Sequence, residues 1–173
     1  MRRPSSSERS AREAEEDTPP NVLEPRGPRV FFGYGFFRLA DGHGQGQVHA
    51  AQFGGYAPLG RLRLGAYGEL GVRRYALGSD DLLIRGAIEA GYQHLRGLGP
   101  LVPYVALEAS AGVVLGQRFS TTQSDRLLGL GIVVGADLRL FRTLHAGLTF
   151  GYVRMAVGDL AHDVWLLRLR FGL

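Results

Sequence analysis

The feature that most constrains this chain is an alternation of apolar and polar residues along most of its length. In residues 61–73, arginines and a glutamate fall on one face of an extended chain, and leucines and a valine fall on the other. Such a two-residue period is typical of β-strands whose faces meet different environments. Two segments near the start alternate less clearly, and their facing is not assigned. The eight predicted strands are 29–39, 48–58, 61–73, 82–94, 101–115, 127–141, 144–155 and 162–173.

Turn-forming residues separate the predicted strands, and the connections are of two kinds. The odd-numbered connections are polar and acidic, as in "LGSDD", whereas even-numbered ones such as "PLG" and "RT" are tight and contain no acid. An up-and-down barrel places odd and even connections at opposite rims. Membrane barrels carry their longer loops outside, so the pattern predicts that the odd connections face the cell exterior.

Residues 1–28 differ sharply in composition from the rest of the chain. They are rich in Ser, Glu, Arg and Pro and contain little that could be buried. This composition predicts a disordered amino-terminal extension. Residues 29–173 then form the single folded domain.

Composition excludes several other classes of protein. The 173 residues include 20 basic ones, all of them arginine, and give a formal net charge of +4. These arginines lie mostly singly among apolar residues, which makes a poor phosphate track, so we expect no nucleic-acid partner. No apolar run reaches the roughly 20 residues that a spanning helix requires. No secretory signal peptide is visible at the start of the chain.

The two faces of the predicted strands indicate a membrane barrel. One face is a nearly unbroken band of Leu, Val, Ile and Ala, and the other is crowded with glycines, small residues and charges. A sheet in hydrocarbon must close on itself, because every backbone polar group needs a partner there. The sequence therefore predicts an all-β fold, an eight-stranded antiparallel up-and-down transmembrane β-barrel with its charged face inside. A barrel of this size encloses side chains rather than a water channel.

Charges buried inside such a barrel must pair with one another. The inward face supplies both signs, and we interpret these residues as a structural ion-pair network rather than a catalytic site. The predicted members are Arg61, Arg63, Glu69, Arg73, Arg85, Glu89, Glu108, Asp137, Arg139, Arg168 and Arg170.

This pattern resembles the small outer-membrane β-barrels of Gram-negative bacteria, of the OmpA/OmpX-like kind. The resemblance covers residues 29–173 and depends on the eight strands, on the strand opening "GPLVPYVALEASAG", and on the closing segment "DVWLLRLRFGL". It implies a monomer in the outer membrane that contacts membrane lipids, including lipopolysaccharide, and is inserted by the barrel-assembly machinery. It also implies a non-enzymatic role, structural or in surface interactions. Members of this family are exported, so the lack of a visible signal peptide is a departure from it.

The resemblance further assigns a role to the last strand. In this family it carries an assembly signal of apolar residues at alternate positions, usually ending in Phe, where this chain has Leu. The matching residues here are Trp165, Leu167, Leu169, Phe171 and Leu173. Aromatic residues on the lipid side are expected near both membrane interfaces. The predicted girdle consists of Trp165 and Tyr152 toward the exterior and of Tyr92 and Phe171 toward the opposite rim.

Two other functions fit parts of the pattern. A soluble calycin-like barrel that binds a small apolar ligand would invert the faces, with the leucine band inside. A membrane-embedded hydrolase acting on lipid A or phospholipid would need a catalytic dyad, for which His162 with Asp163 or Asp159 is the best candidate. No partner nucleophile is evident, so no catalytic residue is predicted.

Pairs of polar residues in the connections could in principle hold a divalent cation. Asp41 with His43, and Asp80 with Asp81, have the appropriate oxygen and nitrogen ligands. Carboxylates in loops more often form turns, so no metal site and no cofactor are predicted.

Overall fold

A computed structural model describes residues 28–41, 44–75, 80–94, 100–118, 121–141 and 144–173. Eight strands form one closed antiparallel barrel, in which each strand pairs with its neighbours in sequence and β1 pairs with β8. The predicted fold class is therefore confirmed. The strands are β1 (Arg29–Asp41), β2 (Gly44–Leu59), β3 (Leu62–Tyr75), β4 (Asp80–Gln93), β5 (Leu101–Arg118), β6 (Thr121–Arg139), β7 (His145–Val157) and β8 (Leu160–Gly172).

Two further predictions can be compared only with the residues that the structure describes. The extension predicted for residues 1–28 lies, except for Pro28, outside them. Within them, no helix is long and apolar enough to cross a bilayer.

The barrel closes between its first and last strands. Residues Phe31–Phe37 of β1 pair with Leu166–Gly172 of β8. The rim where β1 begins and β8 ends is called the terminal rim below, and the opposite one, which carries the β1–β2 and β7–β8 turns, is the distal rim. Closure satisfies the backbone groups that an open sheet would leave exposed along its edges.

The strands run further toward the distal rim than predicted. β5 ends at Arg118 and β6 begins at Thr121, and β4 begins at Asp80, so acidic residues expected in loops lie within strands. Ladder hydrogen bonds join main-chain groups, so pairing can continue past polar side chains. The prediction of longer odd-numbered connections is wrong, because the longest gap between strands, residues 94–100, lies at the terminal rim.

Burial assigns a facing to every strand, including the two that alternate poorly. In β1, the side chains of Phe31, Phe37 and Leu39 are buried inside the barrel, whereas Phe32 and Tyr34 are exposed on the outside. The mixed appearance of this strand arises because aromatic residues occupy both of its faces. In the later strands the leucine band faces outward and the charges along the middle of the strands face inward, as predicted.

The interior is divided into two regions along the barrel axis. The distal half holds an apolar cluster together with the buried pair Arg73–Asp81, and the middle and terminal parts hold the remaining buried charges. Apolar side chains need no partners, so most of the distal half is filled without ion pairs. The largest members of the apolar cluster are Phe37, Leu39, Leu83, Leu127, Met155 and Leu166.

Candidate functional site

The centre of the charged interior is the fully buried guanidinium of Arg168 on β8. Two of its nitrogens donate to the carboxylate of Glu108 on β5, at 2.5 and 3.0 Å. Further carboxylate oxygens lie 3.4 Å away on Glu69 and 3.6 Å away on Glu89. Four strands therefore contribute to one cluster, and a two-pronged arginine–carboxylate contact is among the stronger hydrogen-bonded pairs in proteins.

Two further arginines complete this central cluster. Arg85 Nε lies 2.5 Å from an oxygen of Glu69, and Arg85 Nη2 lies 3.4 Å from Glu108. Arg170 contacts both oxygens of Glu89, at 2.5 and 3.1 Å. Three arginines thus face three glutamates, which provides the pairing that burial requires.

A tyrosine and a glutamine tie the cluster to the barrel wall. The hydroxyl of Tyr67 donates to Glu108 at 2.7 Å, and the Tyr67 ring lies 4.9 Å from the guanidinium carbon of Arg168. The side-chain amide of Gln52 donates to Glu69. Neither residue was among the predicted site residues. Tyr67 lies on the charged face of residues 61–73, so the alternation there would have identified it, whereas Gln52 lies on β2, whose facing was not assigned.

At the terminal end of the interior, Arg63 lies between two aromatic rings. Its guanidinium carbon is 3.8 Å from the ring centre of Tyr56 and 3.9 Å from that of Tyr104. One of its nitrogens donates to Asp137 at 2.5 Å. A side chain at Gly135 would collide with the Tyr104 ring, so the glycine makes room for this arrangement. Arginine stacks well on aromatic faces because its guanidinium is planar and weakly hydrated.

Replacing Tyr104 with Phe tests how much this end of the interior depends on a buried hydrogen bond. The Tyr104 hydroxyl lies 2.5 Å from that of Thr149, which is fully buried. The variant keeps the ring against Arg63 but removes a hydrogen-bond partner from Thr149. We expect a loss of about 1–2 kcal/mol in the free energy of unfolding, measured by denaturant titration in detergent. An unchanged unfolding midpoint would argue against this bond.

The distal end of the network contains an acid that the sequence placed in a loop. Asp81 is buried, and one of its oxygens lies 2.5 Å from Arg73 Nη2. Asp81, Leu83 and Arg85 alternate on one face of β4. Extending the predicted strand by one residue would have placed Asp81 inside the barrel.

Two predicted network members lie elsewhere. Arg61 is exposed in the turn between β2 and β3, because Gly60 adopts a positive φ of 61° and the strand resumes only at Leu62. Arg139 is half-buried at the end of β6. Among the described residues, the fully buried charges balance, five arginines against five carboxylates. They are Arg63, Arg73, Arg85, Arg168 and Arg170, with Glu69, Asp81, Glu89, Glu108 and Asp137.

The residues assigned to the assembly signal and the aromatic girdle all face outward. The exposed residues of the assembly signal are Trp165, Leu167, Leu169 and Phe171 in β8, and Leu173 directly after it. The Trp165 ring lies 4.7 Å from that of Tyr152 and stacks on Phe150 at 5.2 Å. Tyr92 is exposed near the terminal end of β4. Phe32 and Phe53 are also exposed on the outside, and the unassigned facing of β1 and β2 kept them from being predicted.

The candidate catalytic dyad is not assembled. His162 and Asp163 are consecutive in β8 and therefore lie on opposite faces of the barrel wall. Asp163 lies outside, 3.8 Å from Arg154, and Asp159 lies in the exposed turn before β8.

The candidate cation ligands are likewise not brought together. Asp80 is exposed on the outside of β4, whereas Asp81 is buried inside. His43 lies outside the described residues, as does the side chain of Asp41. Within the described part of the chain, no cluster of three or more metal-binding side chains occurs.

The facing of the strands also bears on the soluble calycin-like alternative. That class needs an apolar interior that accommodates a ligand, and a polar exterior. Here the exposed surface carries the leucines, and the buried interior carries the paired charges.

Closed barrels of eight antiparallel strands with an apolar exterior and a charged interior are the architecture of small outer-membrane proteins. Solved structures of that class are similar to this chain. Neisserial surface protein A matches with a TM-score of 0.66 at 17% identity, over 84% of this chain and 94% of that one. Ail, the attachment invasion locus protein of Yersinia pestis, matches with a TM-score of 0.57 at 15% identity, over 86% of this chain and 100% of that one. These likenesses establish the fold.

Comparison by sequence adds no relative. No protein-family model matches the chain, and no curated protein matches it either.

Proposed function

We propose that this protein is a non-enzymatic outer-membrane β-barrel of a Gram-negative bacterium, with a plugged lumen and a structural or surface-interaction role. The observation that carries the proposal is the continuous apolar band around the outside of a barrel whose buried charges are paired within. In water, so large an exposed apolar surface would drive aggregation. In a bilayer, it contacts lipid tails.

The height of the apolar band supports this proposal. On β3 the outward apolar residues run from Leu62 to Val72, and Arg74 follows them. On β8 they run from Trp165 to Leu173. A tilted membrane strand needs about 9–11 residues to cross the hydrocarbon core, and both runs have that length.

The filling of the interior supports a plugged lumen. The apolar cluster occupies the distal half, and the central ion pairs join strands on opposite sides of the barrel. Large buried side chains at both levels therefore support a lumen that is closed to solutes. A structural role follows more readily from this interior than transport does.

The simplest test is whether the full chain needs detergent to fold. We expect the purified protein to refold only in detergent or lipid, and to migrate faster on a gel when unheated than after boiling. A monomer that stays folded without detergent would contradict the membrane proposal and favour the calycin-like alternative. Turnover of lipid A or phospholipid that disappears in His162→Ala would contradict the non-enzymatic part.

The outside of the distal rim supports membrane lipids as partners. Four exposed arginines lie just beyond the apolar band, and we call them the distal arginine ring. Two of them contact acids at long range, Arg74 at 4.0 Å from Asp80 and Arg154 at 3.8 Å from Asp163. Exposed pairs of this kind contribute little, so their guanidiniums can bind lipid phosphates, including those of lipopolysaccharide. The ring consists of Arg38, Arg74, Arg126 and Arg154.

Lipid binding at this ring can be measured by thermal unfolding. We expect lipopolysaccharide to raise the unfolding temperature of the detergent-folded protein, and to raise that of Arg38→Gln with Arg126→Gln by less. Arg61→Gln is the matched control, since Arg61 is exposed at the opposite rim. Equal shifts in all three proteins would exclude the ring as the binding surface.

A further part of the proposal concerns β8, the last strand of the barrel. Its outward residues keep the alternation that the assembly signal of such barrels requires, and β8 ends the barrel at the seam with β1. We therefore propose the barrel-assembly machinery as a partner of this strand during insertion, and a monomer as the mature state.

A further inference from the structure

An apolar groove lies on the outside of the barrel, across β3, β4 and β5. Its volume is about 670 Å³, within the range of about 300–1,000 Å³ that is usual for ligand sites. Small residues form its floor, and two large apolar side chains stand beside them, Phe53 with an exposure of 69% and Ile88 with 63%. We call it the lateral groove. Its outward-facing residues are Phe53, Ala66, Gly86, Ile88, Ala109 and Ala111.

Two glycines at this groove are not required by the packing of the chain itself. Gly68 on β3 pairs with Gly86 on β4, and Gly86 pairs with Ala111 on β5. A Cβ atom at Gly68 or Gly86 would meet no heavy atom within 4 Å, and neither glycine has a positive φ. Glycine inside a strand weakens it and often marks a place where a ligand approaches the backbone closely. The open space above this pair therefore indicates an occupant from outside the chain.

The lateral groove lies at the depth of lipid tails. Gly86 is near the middle of the outward apolar run of β4, which extends from Leu82 to Tyr92. Lipid tails are as apolar as leucine, so an occupant at this depth is selected by packing rather than by hydrophobicity. A hydrocarbon chain that enters the groove gains van der Waals contacts that a flat leucine surface does not offer.

Two members of the distal arginine ring lie beyond the distal side of the groove. Ala111 pairs with Leu128 on β6, and Arg126 is the next outward residue on the distal side of Leu128. Arg74 is the last outward residue of β3, and Asp80 lies 4.0 Å from it, which makes Arg126 the main anchor for an anion. Guanidinium groups above an apolar groove are complementary to a lipid with a phosphate headgroup.

We propose that the lateral groove holds an acyl chain of lipopolysaccharide while a phosphate of the same molecule binds Arg126. This inference rests on the membrane function proposed above and specifies which part of the barrel wall recognises the lipid. Three strand spacings, about 14 Å, separate Arg126 on β6 from Arg74 on β3. Lipopolysaccharide carries two phosphates and can contact both arginines, whereas a diacyl phospholipid has one phosphate between its chains and its headgroup.

Thermal unfolding of the full chain, folded in a non-ionic detergent, tests the groove. The two probes are intact lipopolysaccharide and fully deacylated lipopolysaccharide, which keeps its phosphates. In Gly68→Leu with Gly86→Leu the new side chains fill the groove, and they meet no obstacle within the chain. We expect this variant to lose at least half of the rise in unfolding temperature that intact lipopolysaccharide causes in the wild type. Deacylated lipopolysaccharide should act equally on both proteins, because the arginines are unchanged.

Ala90→Leu is the matched control, since Ala90 is exposed on the same face of β4 but outside the groove, and it should keep the full shift. Folding of each variant is checked by its heat-modifiable migration, and Gly86→Val alone replaces the double variant if that does not fold. Equal shifts by intact lipopolysaccharide in the wild type and the filled variant would overturn the groove but leave the arginine ring standing. No shift in any protein would overturn both.

Two other occupants of the groove would be recognised by the same variants. If phosphatidylglycerol stabilised the wild type as much as lipopolysaccharide, and the filled variant lost that effect, the choice of lipid would be wrong. If the wild type formed a dimer in detergent and the filled variant did not, the groove would belong to a second copy of the chain, and the proposal would be overturned.

Discussion

Replacing Glu108 with Gln should lower the free energy of unfolding by about 3–5 kcal/mol, the range seen when one partner of a buried ion pair is removed. Glu108 is fully buried and accepts two hydrogen bonds from Arg168 and one from Tyr67. The amide keeps the volume of the carboxylate but lacks its charge. Arg168 then remains buried with its main counter-charge gone. Denaturant unfolding in lipid vesicles measures the loss.

A second substitution separates the charge imbalance from the loss of packing. Adding Arg168→Met to Glu108→Gln restores charge balance, so the double variant should lose less stability than the sum of the two single variants. Asp163→Asn is the control, because the exposed contact with Arg154 is worth about 1 kcal/mol or less. Strictly additive losses would show that Glu108 and Arg168 do not act as a pair.

Replacing Ile132 with Arg should lower the free energy of unfolding in a phospholipid bilayer by about 2–4 kcal/mol. Ile132 is 53% exposed near the middle of the outward apolar run of β6. A guanidinium there must leave water for hydrocarbon, or thin the bilayer to reach the interface. Urea or guanidinium titration in vesicles measures the loss.

Leu128→Arg is the matched control for depth in the bilayer. Leu128 has a comparable exposure of 61% on the same face of β6, but it lies next to the distal arginine ring at Arg126. The cost near an interface falls to about 0–1 kcal/mol. If both arginines were tolerated equally, the exterior of this barrel would not be buried in hydrocarbon.

The strand pattern could be predicted from sequence because side-chain alternation reports directly on facing. Arg85 and Glu89 share a face with Leu83 on β4 because the period of an extended chain is two. The same rule failed for β1, where Phe31 faces inward and Phe32 outward. Apolar residues on both faces hide the alternation, since the interior holds buried apolar side chains next to both the terminal and the distal parts of β1.

The ends of the strands were harder to predict. Turn-forming residues and acids near Asp80 and Asp125 indicated loops, yet both residues lie in strands. Backbone pairing with the neighbouring strand continues wherever the partner is in register, and its hydrogen bonds do not depend on the side chain. Asp81 was therefore assigned to a surface loop although it is buried against Arg73.

The sequence by itself determined the number of strands, the outward apolar band and most of the charges that are buried together. These follow from a local periodicity that each strand carries independently. Only the closed barrel decided which charges meet. Arg168 reaches Glu108 across 60 residues of sequence, while Arg61, on the same sequence face as Arg63, lies outside in a turn. Pairing across the interior depends on the curvature and stagger of the closed sheet, and no single strand encodes these.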